Sequence, residues 1–134
     1  MVRVVVDTNV LVSALVGRGK PRRLLLKLLE KHSVVLSRQM LAELADVLSR
    51  EKFGEVRSSQ IDRFLSGLVR KSKLVTVRSR FKVIGEDPDD DIVLNTAYAG
   101  RAGYIVTGDR HLLALKNFKG TGIVKVSRML EIIR

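Results

Sequence analysis

Four acidic positions in this chain stand where α/β proteins usually do chemistry. Asp7 ends the apolar run Val2–Val6, and Asp109 follows Tyr104–Thr107 through Gly108. Glu43 falls in the second turn of the helical pattern after Val34–Leu36, and the triplet Asp89–Asp91 opens another helix. Ligands of open α/β sheets bind beyond the carboxyl ends of the strands. Carboxylates gathered there repel, so the cluster persists only when a hard cation binds it or some members stay protonated. Carboxylate and water ligands suit Mg²⁺ or Mn²⁺, which also bind phosphate oxygens. The chemistry this implies is metal-assisted phosphodiester hydrolysis, in which the ion acidifies a bound water and stabilises charge on the phosphate.

Each acid also has a structural use. Asp7 can cap the helix that follows it. Acids in a first turn complement the helix dipole, which suits any one of Asp89, Asp90 and Asp91. Asp109 can be a turn residue and Glu43 a solvated helix acid. Four such residues reaching one edge is harder to explain by structure alone. Helical spacing separates them further. At about 100° per residue, Glu43 falls beside Met40 and Val47 on the margin of its apolar face. Asp90 lies on the side of Val93, Leu94 and Ala97, which makes it the preferred inward carboxylate. Asp91 projects toward Leu94 and Asn95, as a second ligand or an outer partner. Asp87, before Pro88, is read as the N-cap of this helix. Thr8, Asn9 and Thr107 can orient ligands or water, or satisfy local backbone groups.

The elements that must position these residues are legible as alternating periods. Strand-like runs occur at Val2–Val6, Val34–Leu36, Leu74–Val77, Tyr104–Thr107 and Ile123–Val126. Helical patterns lie between most of them. Val10–Val16 is a short helix stopped by Gly17–Lys20, and Pro21 opens the next, with Leu24, Leu25, Leu28 and Leu29 at helical spacing. Ser37 caps a third helix carrying Met40, Leu41, Leu44, Val47 and Leu48. Ser59 with Asp62 has the form of a capping box for a fourth, carrying Ile61, Phe64, Leu65, Leu68 and Val69. Further helices follow Asp87-Pro88, Asp109 and Ser127. The expectation is a parallel sheet of about five strands flanked by helices, with right-handed crossovers. A helical hairpin lies between strands two and three.

Length and charge bound the rest. At 134 residues the chain is read as one domain, 1–134. It has no Cys, which excludes disulfides and a thiolate nucleophile. Its apolar runs fall far short of the roughly 18 residues of a membrane span, and its first strand lacks signal-peptide character. A cytoplasmic protein is expected. Lys and Arg number 25 against 14 acids, a net charge of +11. Glu86–Asp91 alone holds five of those acids, while Arg63–Gly85 carries seven cations and no acid. A basic body around one acidic spot fits a polyanion held electrostatically, with Arg78, Arg80 and Lys82 nearest the acidic helix. The same run also fits an acidic protein partner. Aromatic residues are only 4% of the chain, so base stacking is a poor source of affinity. His32 is placed on the surface at a helix end, and His111 is near enough to Asp109 to touch substrate.

Four segments together resemble the PIN-domain family, small Mg²⁺-dependent ribonucleases that include toxins of bacterial and archaeal toxin–antitoxin pairs. They are Val4–Ser13, Ser37–Leu48 with Glu43, Asp87–Asp91 with Leu94 and Ala97, and Tyr104–Asp109. Carried over, the family's metal-binding acids fall on Asp7, Glu43, Asp90 and Asp109, with Asp91 adjacent. Val47–Phe53 further resembles the toxin subgroup, although Ile92 and Val93 stand where that subgroup often has a polar residue and Phe. The resemblance implies a Rossmann-like sheet, an RNA substrate, Mg²⁺ or Mn²⁺, a possible antitoxin partner and a homodimer. Two other classes compete. A non-catalytic RNA-binding or scaffold module would keep the fold with a degenerate site, yet every proposed acid is present. A phospho-signalling receiver needs an acceptor Asp ending its third strand, and no Asp ends either strand run that follows the first.

Overall fold

The computed structural model describes residues 1–50, 56–84 and 88–134, with only the backbone of Pro88 and Asp89. Seven helices and six strands alternate among these residues. In order they are β1 (Arg3–Val6), α1 (Thr8–Val16), α2 (Lys20–Lys31), β2 (Ser33–Ser37), α3 (Arg38–Arg50), α4 (Ser58–Lys71), β3 (Lys73–Val75), α5 (Pro88–Gly100), β4 (Tyr104–Val106), α6 (Arg110–Leu115), β5 (Asn117–Phe118), β6 (Thr121–Val124) and α7 (Val126–Ile132). The sheet order is β3-β2-β1-β4-β6-β5, and all neighbours are parallel except β5 and β6. The chain is thus the expected α/β domain, with two helices between β2 and β3.

Val4, Val5 and Val6 are fully enclosed because β1 is central, with β2 on one side and β4 on the other. A strand covered on both faces needs apolar residues at successive positions, which is why its sequence does not alternate. Leu24, Leu25 and Leu28 of α2, Met40, Leu44 and Leu48 of α3, and Leu94 and Ala97 of α5 close over the sheet. Gly100 lets α5 approach β2, since a side chain there would collide with Val35. No helix among the described residues is long and apolar enough to cross a membrane.

Several boundaries differ from those expected. The sixth strand, β5, has only two residues, too short to leave a period in the sequence. It pairs antiparallel through the turn Lys119-Gly120, whose residues both have positive φ (50° and 87°), as a two-residue hairpin turn of primed type requires. Helix α4 starts at Ser58, and the capping contact comes from Gln60, whose Oε1 accepts from the Arg57 N–H at 2.8 Å, instead of from Ser59 and Asp62. Only Leu68 of that helix is fully buried, and Val69 is exposed. Strand β3 stops at Val75, leaving 76–84 without regular structure. The expected cap Asp87, and Glu51–Phe53 of the Val47–Phe53 motif, lie outside the described residues.

Candidate active site

Asp7 occupies the N-cap position of α1, yet its side chain makes no capping bond to that helix. Its Oδ2 instead accepts from the Thr107 hydroxyl at 2.7 Å. The same hydroxyl accepts from the Asp109 backbone N–H at 3.0 Å, while the Asp7 N–H donates to the Val106 carbonyl at 3.0 Å. One buried threonine therefore ties together the ends of β1 and β4 and the two acids that follow them. This tie follows from register, because Val6 lies opposite Val106 in the parallel ladder. Asp7 is only 7% exposed, so its carboxylate orientation is fixed by packing as well as by hydrogen bonding. Beside it, Thr8 Oγ1 is buried with no hydrogen-bond partner among the described residues.

Asp109 is the N-cap of α6, where its Oδ1 accepts from the His111 and Leu112 N–H groups at 2.7 and 3.2 Å. Its capping use and its place beside Thr107 coexist, because the cap engages one carboxylate oxygen. His111 is exposed. His32 lies at the end of α2, half-buried instead of on the surface, and its Nδ1 accepts from the Val2 N–H at 3.0 Å. That contact anchors the start of β1 and leaves His32 remote from the acids.

The remaining acids come from helices that begin at the same edge. Glu43 is half-buried on α3, and Asp90 on α5 is 6% exposed, on the side the helical spacing assigns. Helix α3 packs on both α1 and α5. Asp91 is half-buried and its Oδ1 accepts from the Val83 and Ile84 N–H groups at 2.9 and 2.8 Å. Among the described residues no three acidic or histidine side chains converge closely enough to cage an ion. The donor set nevertheless fits Mg²⁺ or Mn²⁺, which keep several waters and need only one or two protein carboxylates. Burying Asp7 and Asp90 is costly for ionised groups, and a cation offsets that cost.

Beside these acids, the segment 76–84 folds back along α5. Asn95, buried on α5, holds it: Oδ1 accepts from the Ser79 hydroxyl (2.7 Å) and the Phe81 N–H (2.9 Å), and Nδ2 donates to the Phe81 carbonyl (3.0 Å). The Phe81 ring packs edge-on against Tyr98 and Phe118 at 4.9 and 5.6 Å between centroids. Arg80 and Lys82 thereby line a cleft of about 550 Å³ with Gln39, Asp91 and Ile92. Arg78 is exposed on the same segment. Asn95 and Phe81 were not singled out by sequence reasoning. No local pattern marks a side chain that bonds a hydroxyl and a backbone N–H 14 to 16 residues away.

A family model described as PIN domain matches residues 3–111. The uncharacterized protein MJ1680 of Methanocaldococcus jannaschii is 30% identical over 120 residues, covering 87% of this chain and 76% of that protein. Among solved structures, PAE2754 from Pyrobaculum aerophilum superposes with a TM-score of 0.67 at 22% identity, covering 98% of this chain and 89% of that one. VapBC2 from Rickettsia felis, bound to a DNA fragment from its promoter, superposes with a TM-score of 0.63 at 18% identity, over 92% and 98% of the two chains. At such identities the two superpositions establish the fold.

Proposed function

This chain belongs to the PIN-domain family, and from that premise we propose that it is a Mg²⁺- or Mn²⁺-dependent endoribonuclease acting as the toxin of a toxin–antitoxin pair. One observation carries the proposal: Asp7 stands at a helix cap without capping, buried and turned by Thr107 toward the edge where Asp109 also ends. A carboxylate with only a structural role at that position would bond the helix it precedes.

Asp7 and Asp109 would hold the metal most directly, with Glu43 and Asp90 completing the set and Asp91 adjacent. When bound, the ion acidifies a water and stabilises charge on the scissile phosphate. Thr107 is a positioning residue, since its hydroxyl donates to Asp7 Oδ2 and fixes the orientation of that carboxylate. Thr8 and Asn9 stand where they can hold water or a phosphate oxygen. Glu43 or Asp90 would order the attacking water and take its proton. The water would attack phosphorus in line as the P–O bond to the leaving oxygen breaks, and that oxygen would take up a proton from solvent. Arg78, Arg80 and Lys82 hold the phosphate backbone beside the acids. Their segment is fixed by Asp91 and Asn95, so binding RNA costs little ordering of the loop.

An antitoxin partner, a homodimer and a cytoplasmic site of action complete the proposal, and they rest on the family. One observation favours a second reading, a non-catalytic RNA-binding or scaffold module: no three acids among the described residues stand close enough to cage an ion. Incubating the purified chain with single-stranded RNA separates the two. Cleavage that requires Mn²⁺ or Mg²⁺ and stops with chelator is expected. Intact RNA, bound in excess of both ions, supports the module.

A further inference from the structure

Two adjoining clefts open on the far side of the acids from the segment 76–84. The first, of about 480 Å³, is lined by Asn9, Thr107, Gly108, Lys20, Lys125 and Ser127. The second, of about 450 Å³, lies between α2 and α7, with Lys20, Arg23, Lys27 and Arg134 on its walls. Lys20 and Ser127 border both, so the clefts form one continuous channel. It starts at the acids, because Asn9 and Thr107 flank Asp7 and Gly108 precedes Asp109. The parallel registers Val6–Val106 and Val106–Val124 put Lys125 two strands from Asp7. That is roughly 10 Å along the edge at about 4.8 Å per strand.

The channel carries five cations on a partly apolar wall, with Val10, Pro21 and Val126 in the first cleft and Leu130 in the second. Among the described residues, Lys20, Arg23, Lys27, Lys125 and Arg134 form no ion pair, and all five are exposed. The acid in its wall, Glu131, already faces Arg128 at 3.4 Å. Arg22 shows the contrast within one helix turn: its guanidinium donates to the Ala14 and Leu15 carbonyls at 2.9 and 2.6 Å and is committed to the fold. Lys20, Arg23 and Lys27 carry no such duty. Around the acids the wall combines Asn9, Ser13 and Ser127 with Val10, Pro21 and Val126, and it carries none of the aromatic residues that anchor a protein interface at its centre. A phosphodiester backbone matches repeated unpaired cations leading away from the acids.

We infer that this α2–α7 channel is a second binding site for the RNA strand, which passes the acids at the carboxyl edge and continues between α2 and α7. Arg78, Arg80 and Lys82 hold it on one side of the acids, and Lys20, Lys125, Arg23, Lys27 and Arg134 hold it on the other. The inference rests on the proposed ribonuclease reading, but its test does not depend on cleavage. In an Asp7→Asn background with chelator, a labelled single-stranded RNA is titrated at two salt concentrations. The variant Lys20→Gln/Arg23→Gln/Lys27→Gln is expected to bind at least tenfold more weakly at low salt. Its log–log salt slope should fall by about 0.7 for each phosphate that the cations no longer neutralise. The charge-preserving variant Lys20→Arg/Lys27→Arg, with Arg23 kept, should retain the original slope, and thermal unfolding checks that the fold is intact. Because the chain has no Cys, Lys27→Cys and Arg80→Cys each introduce a single thiol for a photo-crosslinker. Crosslinks at opposite ends of one end-labelled strand are expected. Unchanged affinity and slope, or crosslinks at the same end, overturn the channel. Metal-dependent cleavage by the wild type alongside that result leaves the ribonuclease reading standing. Weakened binding without any cleavage keeps the channel and rejects the nuclease. No RNA binding by any variant overturns both.

Discussion

The β1–β4 corner and the segment 76–84 border the same edge of the sheet, but they are built in opposite ways. At the corner, strand register does the placing: Asp7 and Asp109 follow paired strands, and a single threonine ties them together. Along 76–84 there is no ladder, and α5 side chains hold the backbone one group at a time. The corner therefore resists local change, because moving Asp7 means disturbing the enclosed residues Val4–Val6 of the central strand. The segment depends on Asn95, Asp91 and the Phe81 ring stack, and it can be released by one substitution. Rigid placement suits groups that must meet a metal within tenths of an ångström. A pinned loop suits cations that need only track a phosphate chain.

The largest expected effect is at the corner. Asp7→Asn should lower Mn²⁺-dependent RNA cleavage at least a thousandfold, about 4 kcal/mol in the barrier. The amide keeps an oxygen to accept from Thr107, so the fold should survive. Without metal its melting temperature should hold or rise, because a buried charge is gone. Wild-type cleavage rates in purified Asp7→Asn protein would remove the corner from the chemistry.

Next in size are the acids of α5, where the corner and the segment meet. Asp90→Asn should lose substantially more activity than Asp89→Asn, with Asp91→Asn between them. Asp90 is buried on the side of Leu94 and Ala97, whereas Asp91 is already engaged by the Val83 and Ile84 N–H groups. Asn at position 91 retains an oxygen for those groups, so its activity loss reports charge and not loop release. The side chain of Asp89 lies outside the described residues, and its low rank rests on helical spacing alone. The largest loss at Asp91 or Asp89 would reverse the assignment of the inward carboxylate.

A smaller effect, in stability as well as binding, is expected at Asn95→Ala. The change removes partners of Ser79 and of both Phe81 backbone groups, at about 1–3 kcal/mol for half-buried groups left unsatisfied. A modest fall in melting temperature and a severalfold weaker RNA association should appear together. Loss of metal-dependent cleavage of a minimal phosphodiester by the same variant would show that the two regions are coupled more tightly than their construction implies.

The same contrast explains what the sequence made legible. Asp7, Asp109 and the strands before them were readable because strand and acid are contiguous, and a buried parallel strand is an unbroken apolar run. The inward side of Asp90 followed from helical period. Three things were not readable. The tie through Thr107 depends on which strands are neighbours, and β1 and β4 are a hundred residues apart. The anchoring by Asn95 depends on side-chain-to-backbone bonds with no repeat. The two-residue strand β5, which brings Phe118 to Phe81, is too short for any period. Pairing across long separations, not propensity, set the limit.

The smallest effect, and the sharpest for the segment's role, concerns its cations. Arg78→Gln/Arg80→Gln/Lys82→Gln should leave metal affinity unchanged, because none of the three is a candidate ligand. RNA association should weaken, and its log–log salt slope should fall by about 0.7 for each phosphate that the segment ceases to neutralise. Arg80 and Lys82 line the cleft that also holds Asp91, so their charge acts close to the acidic helix. The competing use is an acidic antitoxin seated on this run. Titrating the triple variant with RNA and with an acidic polypeptide at two salt concentrations tells them apart. A lower slope for RNA keeps the segment in the substrate path. An unchanged RNA slope with abolished polypeptide binding transfers it to a partner interface, and the corner would then hold its substrate through the α2–α7 side alone.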